Sequence, residues 1–151
     1  MQLWLMKSEP DDCSIDDLAA SPGQVVAWHG VRNYQARNFM RDQMEVGDLA
    51  LFYHSSCAQP GIVGVVAISA KAFPDVTQFD PASPYFDPRS KPDNPRWCNV
   101  EVRLIRKTRL VSLAELRSHP QLADMRILQK GNRLSITPVE PSEWQIIEGL
   151  F

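Results

Sequence analysis

Arginine and amide side chains are concentrated between residues 28 and 44, in the stretch WHGVRNYQARNFMRDQM. Its three arginines are interspersed with asparagine and glutamine, and Tyr34, Phe39 and Met40 lie among them. Guanidinium and amide groups make paired hydrogen bonds to phosphates and base edges, and aromatic rings stack on planar groups. The stretch therefore predicts a surface that holds a planar ring and a neighbouring anion together.

Two tryptophans are candidates for the walls of a site that binds such a ring. Trp28 ends a predicted strand at 24–28, just before a glycine turn at Gly30, and Trp97 opens the alternating run WCNVEVRLI. Strand alternation places Trp97 with Asn99 on the polar face of that run. If the two indoles face each other, they form a slot for a flat ring; core packing is the alternative for either one alone.

The energetics of such a slot limit what it can do alone. Extruding a base from a duplex costs a few kcal/mol, and aromatic stacking returns about 1–3 kcal/mol per base. A buried methyl group contributes about 0.8 kcal/mol, so burial alone distinguishes a methylated base weakly. Strong discrimination needs polar groups that the wrong base leaves unpaired, and added affinity needs contacts with the nucleic-acid backbone.

Catalytic and metal-binding patterns are weak in this sequence. None of the three histidines lies in a G-x-S-x-G or H-E-x-x-H pattern, and the stretch GIVGVV lacks the G-K-[ST] of a phosphate loop. The three cysteines are widely spaced and form no C-x-x-C pair, so they predict neither a disulfide framework nor a zinc site. We therefore expect a binding protein without a cofactor or metal, with an enzyme as the less favoured reading.

Composition is that of a soluble globular protein, with 44% hydrophobic and 23% charged residues among 151. The formal net charge of −2 gives no whole-molecule argument for nucleic-acid binding. Five basic residues between Arg96 and Arg109, against the single acid Glu101, are consistent with a locally basic face or with an ordinary solvated strand face. No apolar run has the length of a membrane span and no signal-peptide pattern is present, so we expect a cytoplasmic protein without a membrane partner.

Hydrophobic periodicity and capping residues predict six strands and a few short helices. The predicted strands cover residues 2–6, 24–28, 49–54, 61–73, 97–105 and 133–139. Helices are predicted from Ser14, over 33–42, from Ser112 and over 141–149. The absence of regular βαβ alternation disfavours a doubly wound fold and favours a mixed α+β barrel-like sheet in one domain, residues 1–151.

One segment, residues 74–96, contains six prolines and several acids, and is predicted to be a long ordered loop or lid. Within it the pattern F-D-P-x-S occurs twice, at 79–83 and 86–90, which favours two similar Asp-Pro turns.

Seven motifs, in order along the chain, resemble the EVE domain family. They are WLMKSEP (4–10), WHGVRNYQARN (28–38), GDLALFYHS (47–55), FPDVTQFD (73–80), YFDPRS (85–90), PRWCNVEV (95–102) and RLSITPV (133–139). The family is part of the PUA-like superfamily, whose YTH members read methylated adenine in RNA through an aromatic cage. The resemblance implies a PUA-like mixed β-barrel of about six strands with short flanking helices and a pocket for a modified nucleobase.

The resemblance also assigns ligand-binding residues by position. Lys7 and Ser8 are expected at the floor or rim of the pocket, Trp28 as a cage aromatic, and Asp87 and Ser90 in the lid loop. Trp97 as a second wall follows from strand alternation rather than from the family. The expected lip, helix start and remaining wall comprise Gly30, Val31, Arg32, Asn33, Tyr34, Gln35, Arg37, Asn38, Phe52, Tyr53, His54 and Ser55.

The function that the resemblance implies is non-enzymatic recognition of a modified base in nucleic acid. Modified cytosine in DNA is favoured, bound by a monomer whose effector protein, if one exists, cannot be identified from the sequence. RNA or tRNA-modification binding is the first alternative. A small-molecule or nucleotide-binding enzyme or sensor is the second.

Overall fold

The computed structural model describes residues 1–151, and six strands form one mixed sheet. The strands are β1 (Leu3–Ser8), β2 (Val25–Ala27), β3 (Leu49–His54), β4 (Gly61–Pro74), β5 (Cys98–Ser112) and β6 (Ile136–Pro138). Their order across the sheet is β2-β5-β4-β3-β1-β6, and β1 and β3 are the one parallel pair. The predicted α+β class and six strands are confirmed. The barrel is open, however, because the edge strands β2 and β6 have three residues each and do not pair with each other.

Four α-helices pack around the sheet, each begun by a local capping interaction or proline. They are α1 (Ile15–Ala20), α2 (Tyr34–Asn38), α3 (Leu113–Arg117) and α4 (Pro141–Glu148). Ser14 and Asp17 cap each other's backbone N–H groups at α1 in the predicted capping box. A π-helical turn, Phe39–Gln43, continues α2, so the helix predicted over 33–42 is confirmed. No helix has the length and apolarity needed to cross a membrane.

The sheet is buried on both faces because its central strands are apolar at successive positions. On β1, Trp4 and Met6 join a cluster of 18 buried residues that includes side chains from α1 and α2. Leu5 points to the opposite face, into a cluster of 13 buried residues that includes Leu116 of α3 and Trp144 of α4. The end of β1 is therefore held rigidly between two cores.

Strand β5 departs most from its predicted bounds. It begins after Trp97 and continues seven residues past position 105, because its antiparallel pairing with the long strand β4 extends to the pair Gly61–Ser112. Asn99, expected on the polar face, is 2% exposed. Its Nδ2 atom is the only buried side-chain nitrogen or oxygen without a hydrogen-bond partner.

Gly64 allows α1 to lie directly on the sheet. A Cβ atom there would lie 2.6 Å from Ile15 Cδ1 and 3.0 Å from the Arg106 carbonyl oxygen. The β4–β5 register also shifts between Ile62 and Gly64. This contact fixes the position of α1, whose preceding loop forms part of the site described below.

The segment 74–96 is ordered but irregular, as predicted, apart from one 3-10 turn at Val76–Phe79. Both Asp-Pro repeats form the same local turn. Asp80 Oδ1 accepts the N–H of Ala82, and Asp87 Oδ1 accepts the N–H of Arg89, each at 2.9 Å. These side-chain bonds replace a regular backbone ladder that the prolines prevent.

Candidate functional site

A cavity of about 600 Å³ opens where the end of β1 meets the segment that follows β2. This volume falls in the range of about 300–1,000 Å³ that small-molecule sites occupy. The lining residues are Lys7, Ser8, Glu9, Asp12, Cys13, Val26, Ala27, Trp28, His29, Gly30, Val31, Arg32, Ser55, Ser56, Tyr85, Arg133 and Ser135. Five separate chain segments contribute to it, so the cavity is a product of the tertiary fold.

Trp28 is the main aromatic wall of the cavity and is firmly positioned. Its backbone N–H donates to the Val100 carbonyl oxygen at 2.8 Å, which extends the β2–β5 ladder by one residue. Its ring meets the Phe52 ring edge-on, with centroids 5.3 Å apart and planes at 83°. The side chain is 7% exposed, so only a small part of the indole remains open to a ligand.

The indole N–H of Trp28 is unlike those of the other three tryptophans. Trp4, Trp97 and Trp144 donate to carboxylates of Asp48, Asp87 and Glu148 at 3.1, 2.7 and 2.9 Å. Trp28 Nε1 has no acceptor in the protein, and it is not among the polar atoms shut off from solvent. It is therefore an unused donor that solvent can reach, on a residue that lines the cavity.

Lys7 and Ser8 end β1 at the edge of the cavity. The Lys7 N–H donates to the Ser135 carbonyl oxygen at 2.8 Å, and the Ser8 carbonyl oxygen accepts the N–H of Ser55 at 3.0 Å, so strand pairing holds both. The Lys7 ammonium makes no hydrogen bond or ion pair within the protein, and burial lowers the pKa of Lys7. Arg133 also lacks an acidic partner, which leaves two free cations beside the cavity.

Asp75 holds the lip of the cavity to the 74–96 loop. It is fully buried and accepts the Gly30 N–H at 2.8 Å, the Thr77 N–H at 2.9 Å and the Arg32 Nη1 at 3.1 Å. Burial alone would raise the pKa of Asp75, but the hydrogen bonds from Thr77, Gly30 and Arg32 outweigh it and lower the pKa. The carboxylate is thus ionised and structural.

Arg32 was predicted to bind a ligand, and it lines the cavity, but its guanidinium is already saturated. Nε and Nη2 donate to the Tyr85 carbonyl oxygen at 3.0 and 2.8 Å, and Nη2 also donates to Thr77 Oγ1 at 3.1 Å. Nη1 donates to Asp75 and to the Val31 carbonyl oxygen, at 3.1 and 3.0 Å. All five N–H groups are used, so the guanidinium has no donor left for the phosphate or base edge that this arginine-rich stretch was expected to hold.

Tyr85 covers one side of the cavity and was missed by the sequence analysis. Its ring packs on Gly30, where φ is +85° and an added Cβ would lie 2.7 Å from Tyr85 Cζ. Its hydroxyl donates to Asp12 Oδ2 at 2.8 Å. Burial, followed by the bond to Asp12, raises the pKa of Tyr85 to about 12. The motif YFDPRS contains Tyr85, but the resemblance assigns ligand binding to Asp87 and Ser90 of that motif.

The structure brings seven of the predicted site residues together at the cavity and leaves the others elsewhere. Those that line it are Lys7, Ser8, Trp28, Gly30, Val31, Arg32 and Ser55. Those that do not are Asn33, Tyr34, Gln35, Arg37, Asn38, Phe52, Tyr53, His54, Asp87, Ser90 and Trp97.

Trp97 does not oppose Trp28, so the predicted two-tryptophan slot is wrong. Trp97 stacks on Tyr34, with centroids 4.7 Å apart and planes at 22°. Its backbone N–H and carbonyl are held by the two ends of the Gln78 amide, at 3.1 and 2.7 Å. Because Trp97 precedes β5 and is oriented by Gln78, strand alternation does not govern its side chain.

The lid residues Asp87 and Ser90 support Trp97 instead of lining the cavity. Asp87 accepts the Trp97 indole N–H at 2.7 Å. Ser90 is buried, donates to Gln78 Oε1 and accepts the Arg96 N–H at 2.9 Å. Both side chains therefore make their hydrogen bonds within the protein and do not line the cavity.

Strand β3 contributes behind the cavity rather than to its surface. Phe52 is fully buried under Trp28, and Tyr53 points into the opposite core. His54 Nε2 accepts the Ile15 N–H at the start of α1, at 3.1 Å, and burial lowers the pKa of His54. His54 therefore has a structural role, as a neutral imidazole that supports the start of α1.

The predicted residues of α2 also have local roles. Asn33 accepts the Ala36 N–H at 3.0 Å as the cap of α2. Arg37 donates twice to Asn38 Oδ1, at 3.1 and 2.8 Å. Gln35 is exposed on the helix, and Tyr34 is 49% exposed beside it.

Ten residues that line the cavity were not predicted, although most of them lie in or beside the family motifs. The omitted lining residues are Glu9, Asp12, Cys13, Val26, Ala27, His29, Ser56, Tyr85, Arg133 and Ser135. Glu9 belongs to the K-S-E-P motif, and Arg133 and Ser135 to RLSITPV. The two free cations Lys7 and Arg133 are thus matched by two carboxylates, Glu9 and Asp12, and no group of three potential metal ligands occurs in the chain.

The open mixed sheet and the cavity at the end of β1 can be compared with those of known domain families. The sequence matches the EVE domain over residues 2–150. The chain belongs to the EVE domain family, which confirms the resemblance found in the sequence.

Relatives and solved structures agree with this assignment. Human thymocyte nuclear protein 1 is 45% identical over 97% of this chain and 72% of its own length. The crystal structure of human THYN1 in complex with 5-methylcytosine-containing DNA is similar with a TM-score of 0.93 at 43% identity, covering 99% of this chain and 97% of that one. A Pseudomonas putida crystal structure is similar with a TM-score of 0.92 at 46% identity, covering 98% of both chains.

Proposed function

We propose that this chain binds DNA carrying a modified cytosine and takes the modified base into the cavity beside Trp28. The observation that carries the proposal is the unused Trp28 indole N–H in a polar cavity of about 600 Å³. Further support comes from the similarity to human THYN1, which has been crystallised in complex with 5-methylcytosine-containing DNA.

The cavity offers both donors and acceptors for the polar edge of a base. The Trp28 N–H and the Lys7 ammonium can donate to a carbonyl oxygen or ring nitrogen of cytosine. Glu9 and Asp12 can accept from its exocyclic amine, which is the usual partner of carboxylates among the bases. A base without that amine would not make this hydrogen bond.

The same carboxylates disfavour a phosphate inside the cavity. Glu9 and Asp12 offset the charges of Lys7 and Arg133, and the Arg32 guanidinium is neutralised by Asp75 at 3.1 Å, so the cavity has no surplus cation for a phosphate. A neutral base therefore fits the cavity better than a free nucleotide with its phosphates inside. This argument favours the base-reader proposal over a nucleotide-binding enzyme or sensor.

Backbone contacts must supply the rest of the affinity, since stacking roughly balances the cost of extruding the base. Arg133, exposed at the rim and free of acidic partners, is placed to bind a flanking phosphate. RNA remains the principal competing ligand, because tolerance of the ribose 2′-hydroxyl depends on the flanking contacts.

The test is a fluorescence-anisotropy titration with matched DNA and RNA oligonucleotides. One position carries cytosine, 5-methylcytosine, 5-hydroxymethylcytosine, adenine or methyladenine. We expect the tightest binding to a modified-cytosine DNA, and loss of that preference in Trp28→Phe, which keeps an aromatic ring but lacks the N–H. Trp144→Phe is the matched control, because Trp144 is also 7% exposed but lies in the opposite core.

Equal affinity for plain and modified cytosine would contradict the proposal, as would an equal effect of the two tryptophan substitutions. Preference for a modified RNA would support the alternative function, binding of modified RNA or tRNA, at the same site.

A further inference from the structure

Tyr34 is the most exposed of the large aromatic side chains, at 49%, and yet it is rigidly held. Its ring stacks on Trp97, which is 6% exposed. Trp97 is fixed by Asp87 at its indole and by Gln78 at its backbone. One face of the Tyr34 ring is thus covered by a fixed partner while much of the side chain remains open to solvent.

A fixed cation lies over this ring. The Arg37 guanidinium carbon is 4.6 Å from the Tyr34 centroid. Nε and Nη2 donate to Asn38 Oδ1, and Nη1 donates to the Arg96 carbonyl oxygen at 2.9 Å. These bonds use three of the five N–H groups. The guanidinium is therefore oriented and still has donors available for an anion.

Arg32 connects this cluster to the cavity. Its guanidinium carbon lies 5.4 Å from the Trp97 ring and 5.6 Å from the ring of Tyr85, which lines the cavity. The centroids of the Trp97 and Tyr85 rings are therefore no more than about 11 Å apart. A nucleic-acid strand with a rise of about 3.4 Å per nucleotide spans that distance in roughly three nucleotides.

We propose that Tyr34, Trp97 and Arg37, termed here the Tyr34 platform, form a second nucleotide subsite. The exposed part of the Tyr34 ring stacks an unpaired base of the strand whose modified base enters the cavity, and Arg37 binds the adjoining phosphate. Preorganised aromatic rings next to cations are the usual means of binding single-stranded nucleic acid. The inference rests on the proposed function for the identity of the strand, but the platform itself reads no modification.

The test uses single-stranded DNA that carries 2-aminopurine, whose fluorescence is quenched when it stacks on an aromatic ring. The analogue is placed in turn at each position on both sides of a 5-methylcytosine or a plain cytosine. The proteins are the wild type, Tyr34→Ala, Tyr34→Phe and Ile105→Ala. Ile105 is 45% exposed on β5 and serves as the control for loss of an exposed apolar side chain.

We expect quenching at one position a few nucleotides from the modified base in the wild type and in Tyr34→Phe. It should be lost in Tyr34→Ala, with affinity about tenfold weaker for modified and plain strands alike. Replacing the quenched nucleotide by an abasic site should remove the difference between the wild type and Tyr34→Ala.

Three outcomes would overturn the platform. The first is unchanged quenching and affinity in Tyr34→Ala, and the second is an equal loss on the abasic strand, which would mean that Tyr34 acts through the fold. The third is the absence of binding by every strand, which would overturn the proposed function as well. Tyr34-dependent quenching without preference for 5-methylcytosine would support the platform while contradicting the base-reader proposal.

Discussion

Individual side chains at this site are distinguished by what remains unpaired, not by residue type. Trp28 and Trp97 were both candidates in the sequence, but Trp97, like Trp4 and Trp144, donates its indole N–H to a carboxylate. Only Trp28 retains a free N–H at a cavity. Likewise Arg32 and Arg37 look alike in the sequence, whereas one guanidinium is saturated by the protein and the other is not. Side-chain hydrogen bonds between residues far apart in the chain decide these roles, and local sequence does not reveal them.

Arg32→Met tests the structural role of this arginine. It leaves the fully buried Asp75 carboxylate without its cation, and breaking such a pair costs about 3–5 kcal/mol. We expect a loss of that order in the free energy of unfolding, measured with urea. Arg41→Met is the control, because Arg41 and Asp42 are 51% and 53% exposed and such pairs contribute less than about 1 kcal/mol. Similar losses in both variants would refute the structural role assigned to Arg32.

At the scale of secondary structure, elements with local causes were predicted well. The capping box of α1, the Ser112 cap of α3 and the end of α4 at Gly149 depend on neighbouring residues and are found as expected. The bounds of β5 depend on how far its partner strand continues, which no pattern within β5 reveals. The 74–96 loop was recognised from its prolines, but its internal network depends on Asp75 and Gln78, which no periodicity marks as buried.

The hydrogen bond from the Tyr85 hydroxyl to Asp12 joins this loop to the segment after β1. The pKa of Tyr85 is raised from its ordinary value near 10 to about 12, first by burial and then by its bond to Asp12. Because the folded state binds this proton more tightly, its stabilising effect is complete below pH 10 and is lost as the pH rises through about 12.

The ionisation of Tyr85 can be measured by ultraviolet absorbance during an alkaline titration of the folded protein. We expect a tyrosine ionisation near pH 12 that is absent in Tyr85→Phe and that moves to lower pH in Asp12→Asn, which removes the charge beside the hydroxyl. Persistence of the ionisation near pH 12 in Tyr85→Phe would assign it to another tyrosine and contradict the raised pKa of Tyr85.

The whole molecule has a formal net charge of −2, so binding to DNA must depend on where unpaired cations lie. The basic run on β5 is largely committed within the protein. Lys107 pairs with Asp16, Arg109 pairs with Glu115 at 2.6 Å, and the Arg106 guanidinium lies 5.2 Å from the Phe151 ring. Arg133, the free cation exposed at the rim of the cavity, is therefore the better candidate for a phosphate contact.

Salt dependence tests this distribution. The logarithm of the DNA association constant should fall linearly with the logarithm of salt concentration, and Arg133→Met should reduce the magnitude of the slope by about one. Arg109→Met removes a cation that is already paired and should leave the slope unchanged. Equal slopes for the wild type and Arg133→Met would exclude a phosphate contact at Arg133.

The central claim, that the cavity beside Trp28 receives the modified base, is tested most directly by the indole N–H signals in a proton–nitrogen correlation NMR spectrum. Four tryptophans give four indole signals, and Trp28→Phe assigns the one from the cavity. Addition of a 5-methylcytosine oligonucleotide should move the Trp28 signal strongly, because its free N–H gains an acceptor, while the buried pairs of Trp4 and Trp144 stay in place. A Trp28 signal that does not move when the oligonucleotide is bound would contradict the assignment of the cavity as the base-binding site.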